Sequence, residues 1–552
     1  MSRKKPRPSQ PAAQPVSRAA GQSRATDIRA VIALLAVCLA LGLTGIRWGL
    51  PDAAHPHYSF HPDESPGLAS AISILTDPRP LFPTQWAYEQ SPFFFYVTAA
   101  VLEVASLVGL APIHRTFDFA DYARQLLVAR FLVLLTFCAV VLLTYKIVSK
   151  MWGLRTGLLA ALLTAVSPVL ATNAHYFKND VPLLLFILVT LFFSLRIVET
   201  GRTRDYVLAG VFCGITTATK WHGFTAAIFI VTAHFMYRRR NPGALASHGR
   251  LLLSLLCFAG ALLIAVPGIF LHPSIVRTGL MKEYARRIGQ KTGFMLTMAK
   301  TNPNPAVLMS YGFGVLPFLA SIASLVYLAV RKRDAFLFLI LPFTVLLLLV
   351  FGFLKAAFVR YLVPLAPFLM AMVARATYDM VRQRGFRRIA AIVAAAATGI
   401  YALLNSLAYI TPMSRRDPRT LAADWLAGNV PEQSRLTVET FQGENFEFAD
   451  STHYSLNRIW ESRVGDNRDT AMLSWTDYYV ANEAVYRRYL RQGAEFSRQR
   501  WFYERLLGSG EFTLAAEFDA RSELFGLRLP KGYPPDDLML FLPKISIFRK
   551  VR

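Results

Sequence analysis

The sequence predicts a mainly α-helical, polytopic membrane protein of about eleven spans that ends in a small α/β domain. Three observations predict it. The chain has 552 residues, 54% of them hydrophobic, and its mean hydropathy is +0.36. Charge-free apolar runs such as 181–195 and 336–350 recur, each approaching the roughly 20 residues that carry a helix across a bilayer. The 60 basic residues outnumber 35 acidic ones, and many fall in short turns between these runs. Lys and Arg so placed orient a membrane protein with those turns in the cytoplasm. A net charge of +25 distributed this way argues for topology and against a nucleic-acid partner.

The elements follow in order. Residues 1–28, rich in Pro, Ser, Ala, Gln and Arg, are expected to be a disordered cytoplasmic tail. The run 30–50 is too long for a signal-peptide core and reads as an uncleaved anchor, with Arg47 snorkelling near its outer end. A cleavable signal cut near Asp52-Ala53-Ala54 is the alternative. On the anchor reading, about 51–121 is the first outer loop. Alternation then gives spans at 122–145, 157–171, 181–198, 206–219, 223–237, 251–271, 306–330, 335–354, 361–380 and 389–410. The basic turns at 202–204, 238–240, 331–333 and 382–388 all fall on one side. The transmembrane domain is thus 29–410, with the N-terminus in the cytoplasm. Residues 411–552 are expected outside as a small α/β domain, because strand-like LTVETF, DYYVANE, FTLAAEF and ISIFRK alternate with helical patterns. Cys38, Cys138, Cys213 and Cys257 lie in apolar runs and read as packing residues, not as a disulfide framework.

The polar exceptions converge on the outer face. Asp63 and Glu64 lie in the first outer loop, and Lys178, Asn179 and Asp180 open the 181–198 span. Lys220, Trp221 and His222 form an outer turn, and Lys355, Arg360 and Tyr361 sit at the outer end of another pair of spans. Ionisable groups at membrane depth are costly, so each is a functional candidate. The outer loop of about 272–303 carries Arg277, Lys282, Arg286, Arg287, Lys291 and Lys300 against the single acid Glu283. An anionic ligand, such as a lipid phosphate, would compensate a loop this basic on that side. Plainer roles compete throughout. Asp63 and Glu64 follow Pro62 and suit the first turn of a helix. Asp180 suits a cap, Arg360 a snorkelling arginine, and the basic loop a solvated surface. His55, His57 and His61 beside the acids suit a divalent metal, but their spacing is no ligand signature and no metal or other cofactor is expected.

Five segments in this order resemble the GT-C membrane glycosyltransferases that use a lipid-phosphate sugar donor. That group includes the protein O-mannosyltransferases and the aminoarabinose transferase of lipid A. The segments are FHPDE (60–64), SPFFFYV (91–97), HYFKNDVP (175–182), TATKWHG (217–223) and VRYLVPLAPFL (359–369), with DPRTLAADWLAGNVP (417–431) similar to the start of that group's outer domain. Where some relatives carry a lysine before the proline, this chain has Gln90-Ser91-Pro92, so a phosphate contact carried there is either missing or supplied elsewhere, with Lys220 and the basic loop as the candidates. The first outer loop also has no Asp-x-Asp, unlike the metal-dependent oligosaccharyltransferases.

The resemblance implies a GT-C fold and transfer, with inversion, of a sugar from a polyprenyl-phosphate donor. The acceptor would be an envelope protein, lipid or glycan at the outer face of the cytoplasmic (inner) membrane. The expected catalytic residues are Asp63 as general base, Glu64 orienting it or the acceptor, and Asp180. The expected phosphate ligands are Lys220, Arg360, Tyr361, His222, Arg286 and Arg287. Two other classes compete: a lipid-linked glycan flippase, and a non-enzymatic envelope assembly protein. Against a flippase, transporters place charge and broken helices at the midplane of duplicated halves, whereas here the charge gathers at one face.

Overall fold

The computed structural model describes residues 16–551 except 54, 56–57, 115–116, 243–246, 286–304, 332–336, 354–357, 441–452, 461–471, 491–495, 525–526, 530–533 and 536. Arg286, Arg287, Lys291, Lys300, Lys355 and His57 lie outside the described residues.

Helix α1 (Val16–Leu43) begins inside the segment expected to be a disordered tail. Its Ala, Gln and Arg are good helix formers, and the helix continues them into the apolar run. After it come α2 (Glu64–Thr76), α3 (Gln85–Gln90) and α4 (Phe93–Leu107) in the first loop, then α5 (Phe119–Trp152). The segment expected as one span at 157–171 is broken into α6 (Leu154–Ala165) and α7 (Pro168–Asn173). Pro168 removes a backbone donor and forces Ser167 to an extended ψ of 124°. α8 (Asp180–Thr200), α9 (Thr203–Thr219), α10 (Ala227–Arg240), α11 (Ser247–Ala265), α12 (Gly268–Leu271) and α13 (Pro273–Tyr284) follow.

Next, α14 (Pro305–Phe313) and α15 (Val315–Arg331) meet at a bend of 111°, where a single straight span was expected. The bend sits at Gly314, whose φ is +86°. A Cβ there would approach the Tyr401 ring to 2.8 Å, so glycine is what allows the corner. The membrane part closes with α16 (Leu337–Phe353), α17 (Ala366–Val381) and α18 (Phe386–Ile410).

Every predicted run contains helix, and the chain is a multi-pass membrane protein. Among the described residues five helices are long and apolar enough to cross a membrane, and the bent pair makes a sixth. The other runs fold as shorter or broken helices, so helix length alone does not return eleven spans.

After α19 (Pro418–Asn429) the chain forms a five-stranded sheet in the order β2-β1-β3-β7-β4. β1 (Arg435–Thr440) runs parallel to both β2 (Ser455–Trp460) and β3 (Tyr478–Asn482). β7 (Lys544–Lys550) runs antiparallel to β3 and β4 (Phe512–Asp519). A short hairpin of β5 (Ser522–Leu524) and β6 (Leu527–Leu529) lies outside the sheet. Helices α20 (Glu483–Leu490) and α21 (Ser497–Gly508) occupy the stretch between β3 and β4. β3 is buried along its length, as a strand covered on both faces must be. The four strand-like segments of the sequence are therefore strands, and β2 is an addition.

Candidate active site

The site is assembled where helices stop. α9 ends at Thr219 because its last carbonyls find partners outside the helix. Ser91 Oγ donates to the carbonyls of Ala218 at 2.7 Å and Thr217 at 3.2 Å, and Asn179 Nδ2 donates to Thr219 O at 2.8 Å. Lys220 then leaves the helix with an extended backbone, φ −156° and ψ 130°. A 3-10 turn over Trp221–Ala226 reverses the chain into α10. That turn is tight: a Cβ on Gly223 would lie 2.4 Å from the carbonyl of Thr216. Ser91 therefore braces the segment that presents Lys220. Its own backbone sits at φ +86°, a strained region for a residue with a Cβ.

Four chain segments bring acids and bases together there. Asp63 caps the start of α2 without hydrogen-bonding to its N–H groups, which leaves the carboxylate facing the cluster. Its Oδ2 accepts a hydrogen bond from Lys178 Nζ and lies 3.6 Å from a terminal nitrogen of Arg360. Lys220 Nζ donates to Asp180 Oδ1 at 2.5 Å. Asp180 opens α8, where the helix dipole also favours a carboxylate. Arg360 and Tyr361 lie on a 3-10 segment, Val359–Leu365, that leads into α17. The Arg360 guanidinium rests over the Phe358 ring at 3.9 Å and near the Tyr361 ring at 5.8 Å, and Lys220 Nζ is 5.7 Å from the same tyrosine. Among the described residues no acceptor reaches the buried Arg360 Nε.

Burial would raise the Asp63 carboxyl, but Lys178 and Arg360 outweigh it and hold the group well below the usual carboxylate range. Burial and neighbouring Arg360 push Lys178 down to about 8. His61 is buried, stacked on Tyr176 with ring centroids 4.2 Å apart, and lowered to about 3 by burial and Lys178. It is therefore neutral, and its Nδ1 accepts the Asp63 amide at 3.2 Å. His55 lies 3.4 Å from Asp52.

Glu64 departs from the expectation that it orients an acceptor. It is fully buried and clasped by Arg130, whose Nε and terminal nitrogen donate to its two oxygens at 2.8 and 2.6 Å. Ser59 Oγ and the Phe177 amide add bonds of 2.8 and 2.6 Å. Arg130 in turn donates to the carbonyls of Ile46 and Trp48 at 2.7 and 2.8 Å. With both oxygens committed and no exposed surface, Glu64 anchors the first loop and cannot touch a substrate. The His222 carbonyl accepts from Thr225 Oγ1 at 2.9 Å, so its backbone helps build the turn.

Two further residues join the cluster. Lys178 was visible as part of the KND motif but not assigned to the phosphate. Asp537, in the C-terminal region, accepts the Arg360 amide through Oδ2 at 3.1 Å. Its surroundings DDLML carry no catalytic pattern, so no sequence signal marks it.

Residues 123–270 match the family model described as dolichyl-phosphate-mannose-protein mannosyltransferase. Among solved structures, the GT-C oligosaccharyltransferase AglB of Archaeoglobus fulgidus, in complex with an inhibitory peptide and a dolichol-phosphate, aligns with a TM-score of 0.55 at 13% identity. That alignment covers 93% of this chain and 74% of the other. An Archaeoglobus fulgidus oligosaccharyltransferase tethered to an acceptor peptide gives 0.55 at 12% identity, covering 87% and 72%. ArnT from Cupriavidus metallidurans bound to undecaprenyl phosphate gives 0.48 at 13%, covering 94% and 97%. No curated protein sequence matches the chain. The GT-C fold expected from the motifs is the fold observed.

Proposed function

We propose that this GT-C protein transfers a sugar from a polyprenyl-phosphate donor to an envelope acceptor at the outer face of the cytoplasmic membrane. The observation that carries the reading is Arg360: a guanidinium stacked over the Phe358 ring and near Tyr361, beside Asp63, with a buried Nε that no protein acceptor reaches among the described residues. A planar, fixed cation with a donor to spare suits a phosphate oxygen. Lys178 and Lys220 stand beside it, each already balanced by a carboxylate. The likeness to a structure holding a dolichol-phosphate and the match to a dolichyl-phosphate-mannose family support the same class of donor.

The chemistry follows from the placement. The acceptor O–H or N–H attacks the anomeric carbon while the bond from that carbon to the phosphate oxygen breaks. The electron pair leaves with the lipid phosphate, and the acceptor's proton passes to Asp63. Attack opposite the departing phosphate inverts the anomeric centre. Arg360, Lys178 and Lys220 stabilise the charge that collects on the leaving group, so no general acid is needed. A carboxylate tied to two cations is a poor base. Phosphate that draws Lys178 and Arg360 to itself loosens those ties and restores basicity to Asp63 once donor is bound. Asp180 holds Lys220 in place for the same phosphate.

Purified protein in lipid nanodiscs, given a panel of polyprenyl-phosphate sugars with envelope extracts, should release lipid phosphate only when an acceptor is present. Absence of release with every donor, alongside specific binding of a non-phosphorylated ligand, would overturn the reading. Reporter fusions after Arg552 and within 382–388 should be active outside and inside the cytoplasm respectively, and the same side for both would overturn the orientation.

A further inference from the structure

We propose that Asp537 is a positioning residue for the donor-phosphate site, so that the chain following the membrane domain completes that site. The inference rests on Arg360 as the phosphate ligand. Arg360 lies on a 3-10 segment, a weaker hydrogen-bonding frame than an α-helix, and it precedes Pro364, which donates no backbone hydrogen bond. The amide of Arg360 stands at the start of that segment and finds its acceptor far away in sequence, in Asp537 Oδ2 at 3.1 Å. This one bond fixes the backbone from which the guanidinium projects toward Asp63.

Asp537 is itself held. Residues Leu538, Met539, Leu540, Phe541 and Leu542 are all buried. The Phe541 ring packs edge-on against Trp48 and Tyr409, with centroids 6.4 and 6.3 Å away. The Leu540 carbonyl accepts from Arg419 at 2.9 Å, and Arg419 is locked to Asp417 by bonds of 2.6 and 2.7 Å. Asp417 Oδ2 also takes the Trp48 indole N–H at 3.0 Å. The segment is thus bolted to the end of the anchor helix, the end of α18 and the start of α19. A buried carboxylate placed by this much packing is worth its desolvation only if its acceptor capacity is used, and Arg360 uses it. The negative charge also lies among the site's cations, so Asp537 holds Arg360 by its backbone and balances the site's charge.

The test compares Asp537→Ala and Asp537→Asn in the full-length chain in nanodiscs. Binding of a short-chain polyprenyl monophosphate and hydrogen–deuterium exchange across 358–362 are the readouts. Asn keeps an oxygen that accepts the Arg360 amide, whereas Ala has none. Expected for Ala is a rise in Kd of about tenfold or more, which is about 1.4 kcal/mol, with faster exchange at the Arg360 amide. Expected for Asn is affinity within about threefold of wild type and unchanged exchange. Wild-type affinity and exchange in the Ala variant would overturn the proposal, and so would an Asn variant as impaired as Ala. Wild-type protein that binds no polyprenyl phosphate would overturn the donor reading itself, and this inference with it. A misfolded Ala variant leaves the decision to Asn, whose predicted near-wild-type behaviour then stands or falls alone.

Discussion

Asp63 Oδ2 and a terminal nitrogen of Arg360 lie 3.6 Å apart, although one lies between α1 and α5 and the other on the 3-10 segment before α17. Lys178 completes the group on the same carboxylate oxygen. Three cations here, Lys178, Lys220 and Arg360, face three carboxylates, Asp63, Asp180 and Asp537. A cluster so nearly neutral admits a phosphate only by exchanging partners, and Asp63, at 28% side-chain exposure, is the carboxylate most open to exchange.

Asp63→Asn should therefore separate binding from turnover. It removes the proton acceptor and also one competitor for the cations. Single-turnover transfer at saturating donor should fall by roughly 10²–10⁴-fold, the range for losing a positioned general base. Affinity for polyprenyl phosphate should stay the same or rise. Wild-type single-turnover rates would make FHPDESP a structural loop.

Glu64→Gln should behave differently from its neighbour. Breaking one side of a buried ion pair leaves an uncompensated charge and costs about 3–5 kcal/mol, and here Arg130 and Glu64 are both fully buried. The expected result is a lower unfolding temperature and a lower yield of monodisperse protein, with near-normal KM for donor in the fraction that folds. Intact stability combined with lost turnover would return Glu64 to the chemistry.

That contrast shows what the sequence could and could not say. FHPDE, KND, TATKWHG and VRY were legible because each sets ionisable groups against apolar surroundings, where charge is expensive. The same logic would have found Arg130, a guanidinium set among apolar residues inside the run 122–145 that must have a buried partner, and it would then have assigned Glu64 to that arginine. Asp537 was not legible. It lies outside the membrane-spanning runs, where an acid is no surprise, and only folding brings it to the Arg360 amide. The break before Pro168 was legible in principle from the proline, whereas the corner at Gly314 depends on the Tyr401 ring that meets it.

Lys178 gives a pH dependence. Its folded value of about 8 means that it is charged below that pH and neutral above it. Phosphate affinity in the free enzyme should then fall as pH rises through about 8, seen as a drop in kcat/KM for donor with a smaller change in kcat. Lys178→Arg, charged throughout, should flatten the alkaline limb. A limb unchanged in the Arg variant would assign it to another group.

Glu439, in the C-terminal sheet, gives a second and independent pH effect. Burial pushes its carboxyl up to about 7, although Tyr479, Tyr503 and the Asn482 amide each donate to it at 2.7 Å. The folded pKa exceeds the unfolded value of 4.5, so between these the folded chain holds a proton that the unfolded chain has lost. Stability is then full below 4.5 and declines as pH rises to about 7, by roughly 3 kcal/mol in all. Hydrogen exchange of β1 and β3 in the full-length protein should speed up from pH 5 to 7.5, after correction for intrinsic exchange. Glu439→Gln should abolish most of that change, and an equal pH slope in the variant would discard the assignment.

Arg360 carries the functional reading, so its substitutions are the most demanding test. Ala removes the charge and the stacking on Phe358. Lys keeps a charge but loses the planar fork and the buried Nε, and its ammonium is a compact, strongly hydrated point charge in place of a guanidinium stacked on rings. A cation on the phosphate acts in the ground state, where it binds donor, and more strongly in the transition state, where charge builds on the leaving oxygen. Both variants should therefore raise donor KM and lower kcat, with kcat/KM down by about 10²–10³-fold in Ala and about tenfold or more in Lys. The acceptor's KM should be unaffected. Donor series that vary the leaving group provide the sharper measurement. A lipid phosphate of lower pKa needs less stabilisation, so it should recover more activity in the Ala variant than in wild type. Equal recovery in both would mean that Arg360 does not touch the departing phosphate, and the site of that contact would move to Lys178 and Lys220.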